Sequence, residues 1–153
     1  MILSAREIVQ ATGGQLVLEG PPGSVGHDSR NLRPGQWFVT LAGERFDSHD
    51  FLPELQTRGC AGAIACRVPD DWSHGFVRVE NGLQALQDLG RFGRRSFGGP
   101  VVGITGSAGK TTTRAMTALV LEELGPTHQP ERNLNNHFGV PLTILRAPLD
   151  AHS

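Results

Sequence analysis

Short apolar stretches alternate with turn signals through the first part of the chain, and this pattern is typical of a small α/β domain. A helix is predicted from Ser4, which forms a capping box with Glu7, to the glycine pair at 13–14. Further helices are predicted after Asp50 and after Asn81. The predicted strands lie at residues 15–18, 25–28, 37–41, 61–66 and 76–79.

The pattern changes after residue 97. Residues 101–105 form a continuous apolar run, which is typical of a strand buried in a parallel sheet, and a helix is predicted at 114–124. We therefore expect an α/β domain at 1–97 and the beginning of a second, parallel-sheet domain at 98–153. One βαβ unit takes about 30 residues, so we expect the second sheet to be incomplete within this chain.

Composition and charge narrow the class of protein. The chain has 153 residues, of which 38% are hydrophobic and 19% charged, with a formal net charge of −1. We expect no binding of a nucleic acid polymer, because that usually needs a strong positive charge. No apolar run approaches the ~20 residues of a membrane span and no leader is visible, so we expect a cytoplasmic protein without membrane insertion. Cys60 and Cys66 flank a predicted strand and are expected to pack as small apolar side chains.

The segment between the apolar run and the second-domain helix has the composition of a phosphate-binding loop. Its glycines let backbone N–H groups point at an anion, and the N-terminus of the following helix adds partial positive charge. Lys110 is the only lysine in the chain and can reach the β/γ-phosphates of a nucleotide, while the Thr111 hydroxyl can ligate Mg²⁺. The predicted nucleotide-binding residues are Gly106, Ser107, Ala108, Gly109, Lys110, Thr111 and Thr112.

Two features depart from the general phosphate-loop pattern. Ile104 stands where that pattern has its first glycine, so an ordinary glycine-rich connection is the alternative. None of the acidic residues after Lys110 follows a clear strand, where a carboxylate for Mg²⁺ is usually found.

A guanine-reading Asn-Lys-x-Asp motif cannot exist with this single lysine, which disfavours a GTPase. The histidines show no ligand spacing, so no zinc site is predicted.

Three stretches together resemble the ATP-dependent Mur ligases of peptidoglycan assembly. The first combines an Asp-Ser-Arg turn at 28–30 with the run from Gly43 to Phe51, and it is similar to the N-terminal uridine-nucleotide domain of that family. The second is the loop at 104–112, which in this family also lacks the first glycine. The third is Asn-Leu-Asn-Asn-His-Phe-Gly-Val-Pro at 133–141. Among the branches, the likeness is strongest to the one that adds D-alanyl-D-alanine to UDP-N-acetylmuramoyl-tripeptide.

The resemblance implies a reaction and a set of site residues. ATP, with Mg²⁺ on Thr111, would phosphorylate a substrate carboxylate, and an amine would then displace phosphate from the acyl phosphate. Lys110 and Thr111 would be the catalytic residues, and Asn135 and Asn136 would approach the nucleotide phosphates. For the two asparagines, polar caps on a turn are the alternative.

The resemblance also implies a site for the uridine diphosphate part of the substrate. Its expected residues are Asp28, Ser29, Arg30, Asp47, Ser48 and His49. Without the family match, the first three could equally form an Asx-type turn, and His49 could be only the neighbour of a helix cap.

Several alternatives to a fragment of a D-alanyl-D-alanine-adding ligase stay open from the sequence. They are another Mur-type amide ligase such as the MurE branch, a non-catalytic UDP-sugar-binding module, and a generic phosphate-loop kinase. We expect the 153-residue chain alone to be inactive, because the metal carboxylate and the site for the incoming amine are not identifiable in it. We also expect the apolar edge around residues 101–104 to be disordered or to pair with a second copy.

Overall fold

A five-stranded sheet forms the centre of the structure, a computed structural model that describes residues 1–43, 46–130 and 136–147. Its order is β1-β7-β6-β3-β2, with β1 antiparallel to β7 and the other pairs parallel. A short hairpin, β4-β5, lies outside this sheet. The strands are β1 Gln15–Leu18, β2 Val25–Gly26, β3 Trp37–Val39, β4 Ala42–Gly43, β5 Phe46–Asp47, β6 Gly62–Ala65 and β7 Gly75–Arg78.

Five α-helices accompany the strands among the described residues, together with two 3-10 helices. The α-helices are α1 Ala5–Thr12, α2 Leu52–Thr57, α3 Gly82–Ser96, α4 Lys110–Glu122 and α5 Gly139–Arg146, and the 3-10 helices are Ser29–Asn31 and Ser48–Phe51. No helix in this described part of the chain combines the length and hydrophobicity needed to cross a membrane.

The sheet is covered on both faces, and every residue of its strands β3 and β6 is buried. Successive residues of a strand point to opposite faces, so Trp37 and Val39 enter one core while Phe38 enters the other. Helices α1, α3 and α5 supply apolar side chains to the first core, and α2 supplies Leu52 and Leu55 to the second. The mixed α/β architecture with a mostly parallel sheet confirms the predicted fold class.

The first helix confirms the prediction from local sequence. The backbone N–H of Glu7 donates to Ser4 Oγ at 3.3 Å, and the N–H of Ser4 donates to Glu7 Oε2 at 2.8 Å. The helix ends at Gly13, and β1 has the predicted bounds. The other predicted strands of this domain are present, with bounds that differ from the prediction by at most two residues, and the β4-β5 hairpin was not predicted.

The prediction of a strand at 101–105 was wrong, since none of these residues is assigned to a strand. A strand requires a hydrogen-bonded neighbour, and the described strands all pair with one another elsewhere. Val101 and Val102 are exposed, as expected for an uncovered apolar edge, and self-association through it stays a prediction. Helix α4 begins at Lys110 rather than at residue 114. The prediction for the cysteines holds for Cys60, which is buried, but is wrong for Cys66, which is exposed.

Helix α5 connects the two predicted domains. It belongs by sequence to the second, but Leu142 and Leu145 are buried in the first core, beside α3. The boundary between 1–97 and 98–153 stays a prediction.

Candidate functional site

The predicted uridine-site residues lie at the carboxyl edge of the parallel strands. The turn that begins at Asp28 follows the end of β2, and Thr40 and Cys66 follow the ends of β3 and β6. The crevice outside the carboxyl ends of parallel strands is the usual ligand site of open α/β sheets. The topology therefore gathers both predicted groups, 28–30 and 47–49, at one edge.

Asp28 organises the first group. Its carboxylate accepts the backbone N–H of Arg30 at 3.1 Å, and it is paired with the Arg30 guanidinium through Nε and Nη2, both at 2.9 Å. Chiefly because of the hydrogen bond from the Arg30 side chain, the pKa of Asp28 falls to about 2. This Asx-type turn leaves the Ser29–Asn31 helix at the surface of the sheet edge, with the Arg30 side chain exposed.

Asp47 organises the second group in the same way. Its Oδ1 accepts the backbone N–H of His49 at 3.0 Å and the ring Nδ1–H of His49 at 2.5 Å. Its Oδ2 accepts from Arg67 at 2.9 Å. The hydrogen bond from the backbone of His49 is the main reason that the pKa of Asp47 is lowered.

Ser48 and His49 are buried rather than displayed to solvent. The Ser48 hydroxyl accepts the N–H of Leu41 at 2.6 Å, and it is 1% exposed. His49 Nε2 lies 3.1 Å from Thr40 Oγ1 and accepts the N–H of Cys66 at 3.4 Å. These bonds join the residues after the β4-β5 hairpin to the ends of β3 and β6. The two side chains therefore stabilise the conformation of the carboxyl edge of the sheet. A cavity of about 340 Å³ opens beside His49 and Arg67.

Three residues at this edge were missed by sequence reasoning. Thr40 contacts His49, Arg67 pairs with Asp47, and Arg58 donates to the carbonyls of Ser29 and Leu32 at 2.7 and 2.9 Å. The one available signal was the position of Thr40 directly after an apolar strand. The two arginines come from distant parts of the chain, and nothing in their local sequence indicates these contacts.

The phosphate loop has the backbone expected of an anion site. Gly106 and Gly109 have φ of 149° and 76°, in the region that favours glycine, so the turn needs these residues. Helix α4 begins at Lys110, and no described side chain caps its first turn. Its first backbone N–H groups therefore stay available to a ligand. Lys110 Nζ donates to the Gly106 carbonyl at 2.5 Å, which places the ammonium group across the loop.

The other predicted residues of the loop lie around the same turn. The residues Ser107, Ala108, Thr111 and Thr112 are all exposed. A cavity of about 410 Å³ lies beside the loop, lined by Lys110 and Thr111 on one side and by α5 on the other. Asn136 precedes α5, and its Oδ1 accepts the N–H groups of Phe138 and Gly139 at 3.3 and 2.9 Å. Asn135 lies outside the described residues.

The loop fits a nucleotide phosphate better than it fits a metal ion alone. It combines backbone donors with one ammonium group, the chemistry that anions require. For Mg²⁺, the Thr111 hydroxyl is exposed at the start of α4 and can give one ligand. Within the described ranges no cluster of three histidine, cysteine or acidic residues could hold a metal ion. Phosphate oxygens are usual ligands of Mg²⁺, so a nucleotide in the loop could share the ion with Thr111.

A mostly parallel sheet with polar turns at its carboxyl edge, followed by a glycine loop that enters a helix at a lysine, is typical of the phosphate-loop class of nucleotide-binding α/β proteins. Residues 104–153 match the Mur ligase middle domain. The chain is 42% identical over 119 residues to the UDP-N-acetylmuramoyl-tripeptide--D-alanyl-D-alanine ligase of Escherichia coli, covering 78% of this chain and 26% of that protein. It is 40% identical over 136 residues to the ligase of the same name from Bacillus subtilis, covering 88% of this chain and 29% of the relative.

Solved structures agree with these sequence comparisons. MurF from Acinetobacter baumannii matches with a TM-score of 0.91 and 34% identity, over 99% of this chain and 34% of that one. A MurF ligase from Thermotoga maritima, in complex with ADP, matches with a TM-score of 0.66 and 33% identity, over 80% of this chain and 29% of that one. Residues 104–153 therefore belong to the Mur ligase middle-domain family, and the chain as a whole is similar to part of MurF. It spans about a third or less of the length of these relatives.

Proposed function

We propose that the chain forms the uridine-nucleotide domain and the phosphate loop of an ATP-dependent ligase that joins D-alanyl-D-alanine to UDP-N-acetylmuramoyl-tripeptide in peptidoglycan synthesis. The observation that carries the proposal is the loop itself, with Lys110 at the uncapped start of α4 behind Gly109. The relatives named for this reaction support the choice of substrates. Since the substrates are ATP and a nucleotide-linked sugar peptide, we place the reaction in the cytoplasm.

The proposed mechanism assigns the phosphate chemistry to the loop. The terminal carboxylate of the tripeptide would attack the γ-phosphorus of ATP, which releases ADP and gives an acyl phosphate. The amine of D-alanyl-D-alanine would then attack the acyl carbon, and inorganic phosphate and a proton would leave as the amide bond forms. The backbone N–H groups at the start of α4 and the Lys110 ammonium stabilise negative charge on the phosphates. The Thr111 hydroxyl would hold Mg²⁺, which would offset negative charge on the phosphates. Asn136, which precedes α5, and Asn135, which lies outside the described residues, would contact the phosphates.

The proposed uridine site uses the two Asp-centred turns. Asp28, Ser29 and Arg30 offer polar groups to the uridine or pyrophosphate part, and Asp47 with Arg67 offers a charge pair beside the 340 Å³ cavity. Ser48 and His49 act here as positioning residues, because their side chains are buried and bonded to the protein.

Calorimetry with UDP-N-acetylmuramoyl-tripeptide tests the uridine side of the proposal. We expect binding to the wild-type chain and at least about tenfold weaker binding for Arg67→Ala, since a cation at the edge is lost. Arg95→Ala removes an exposed cation at the C-terminal end of α3, which belongs to neither Asp-centred turn, and should leave the affinity unchanged. Absence of binding to the wild-type chain would contradict the proposal.

Turnover is a separate question for this chain. Among the described residues no group of three histidine, cysteine or acidic side chains could hold a metal ion, and the chain spans about a third or less of the length of its relatives. We therefore expect no ATP-dependent phosphate release when the 153-residue chain is mixed with both substrates. Release of phosphate that requires both substrates and Lys110 would show that the chain already holds a complete catalytic site.

A further inference from the structure

Helix α5 presents two different faces to its surroundings. Pro141, Leu142 and Leu145 are buried, and the two leucines lie in the core of the first domain. Val140, Thr143 and Ile144 line the 410 Å³ cavity that Lys110 and Thr111 line from the other side. Spacings of three and four residues place each set on its own side of a helix. A single helix therefore separates the sheet core from the cavity beside the predicted phosphate loop.

The contact between α5 and α3 has little freedom. A Cβ atom added at Gly90 of α3 would lie 2.8 Å from both Cα and Cβ of Pro141. Real Cβ contacts are not this short and the neighbour includes backbone, so the two helices could not keep their present separation. The N-terminal amino group of Met1 also donates to the carbonyl of Leu145 at 2.7 Å, at the other end of α5.

Two features near the phosphate loop, Asn136 and the wall of the cavity, depend on the position of α5. The N-terminal turn of α5 is capped by Asn136, which belongs to the pair predicted to approach the nucleotide phosphates. His128, which also lines the cavity, lies with Nε2 3.0 Å from the carbonyl of Thr143. A shift of α5 away from α3 would therefore move the cavity wall and Asn136 together.

We propose that the close Gly90–Pro141 contact fixes the position of α5 against the core of the first domain, and that α5 in turn positions the nucleotide phosphate site. We call it the positioning contact. This inference rests on the proposed function, because it concerns the affinity of the loop for a nucleoside triphosphate. Gly90 and Pro141 act through α5 and are positioning residues.

The matched pair of variants Gly90→Ala and Gly93→Ala tests the positioning contact in the full 153-residue chain. Both add the same methyl group to the same helix, but at Gly93 the nearest atom is a side-chain methyl of Ile144 at 3.3 Å, which can move. Two readouts are measured, hydrogen exchange of the α5 amides and calorimetric affinity for the magnesium complex of adenylyl imidodiphosphate, a stable ATP analogue. We expect Gly93→Ala to stay within about twofold of wild type in affinity, and Gly90→Ala to lose α5 protection and at least about fivefold in affinity.

A second variant covers the case in which Gly90→Ala does not fold. Leu142→Ala loosens α5 from its own side without a clash, and amide protection of β3 and β6 reports whether the sheet persists. Reduced α5 protection and weakened nucleotide binding with an intact sheet would support the proposed role of the positioning contact. Weakened α5 protection with unchanged affinity, or wild-type behaviour of Gly90→Ala in both readouts, would overturn it. Failure of the wild-type chain to bind the analogue would instead refute the proposed function, which makes the two failures distinguishable.

Discussion

Asp28 and Asp47 perform the same task at two places on one sheet edge. Each carboxylate accepts the backbone N–H of the residue two positions later, and each pairs with an arginine. For Asp28 that arginine is Arg30, in the same turn, whereas for Asp47 it is Arg67, twenty residues away. Such turns fix the backbone locally, so the edge keeps its shape without long strands.

The pKa of Asp28 provides a direct test of its turn. With a pKa near 2 in the folded chain, the carboxylate stabilises the fold above its ordinary pKa of about 3.8, and this contribution is lost as pH falls from about 4 to 2. We expect Arg30→Gln to raise the pKa toward the ordinary value, because the main cause of the depression is removed. Carboxyl carbon NMR over pH 1.5 to 6 measures this, and a wild-type midpoint close to 3.8 would contradict the described pairing.

The two thiols should react at very different rates. Burial raises the pKa of Cys60 to about 11, so its thiolate is scarce at neutral pH, whereas Cys66 is exposed. Iodoacetamide at pH 7 should modify one thiol quickly, and Cys66→Ser should abolish that phase. Rapid modification that persists in Cys66→Ser, measured by mass spectrometry, would show that the β6 region opens far more than the structure indicates.

At the scale of elements, local sequence accounts for the helices whose signals are near in sequence. The capping box of α1 and the Asn81 cap of α3 were predicted because each needs only a few neighbouring residues. The start of α4 at Lys110 was not predicted, because the three threonines that follow it have low helix propensity. They lie in the first turn because the glycine loop leads directly into the helix. The prediction of a strand at 101–105 was wrong because strand formation depends on a hydrogen-bonded partner strand, which local sequence does not reveal.

The α1 capping box gives a stability prediction. We expect Ser4→Ala to lower the free energy of unfolding by about 1 kcal/mol, because the N–H of Glu7 loses its side-chain acceptor. Gln10→Ala, at an exposed position within the same helix, serves as the control and should change stability by less than about 0.5 kcal/mol. Urea unfolding followed by Trp fluorescence measures both, and equal stabilities of the two variants would argue against the cap.

At the scale of the whole molecule, the first domain is complete in its core while α4 is not covered. Every central strand of the sheet is buried on both faces, whereas Met116, Leu119 and Val120 of α4 are more than 60% exposed. The sequence indicated an α/β fold followed by a glycine loop that leads into a helix, and both are present, while phosphate binding by the loop stays a prediction. It could not indicate that α5 would pack into the first core, because that contact joins residues far apart in the chain.

This exposed apolar face predicts self-association of the 153-residue chain. Burial of apolar surface is favourable, so we expect larger species to increase with protein concentration in sedimentation velocity. Leu119→Glu should suppress them, while Gln10→Glu, with the same added charge on α1, should not. A monomer at all concentrations, with or without the substitution, would contradict this prediction.

The central claim is that Lys110 and the start of α4 bind the phosphates of ATP. Calorimetric titration of the chain with Mg-ATP measures it most directly, with Lys110→Ala as the test and Arg95→Ala, which removes an exposed cation of α3, as the charge control. We predict binding by the wild-type chain, unchanged affinity in Arg95→Ala, and at least about tenfold weaker binding in Lys110→Ala. Equal affinities of wild type and Lys110→Ala, or no binding to either, would contradict the account.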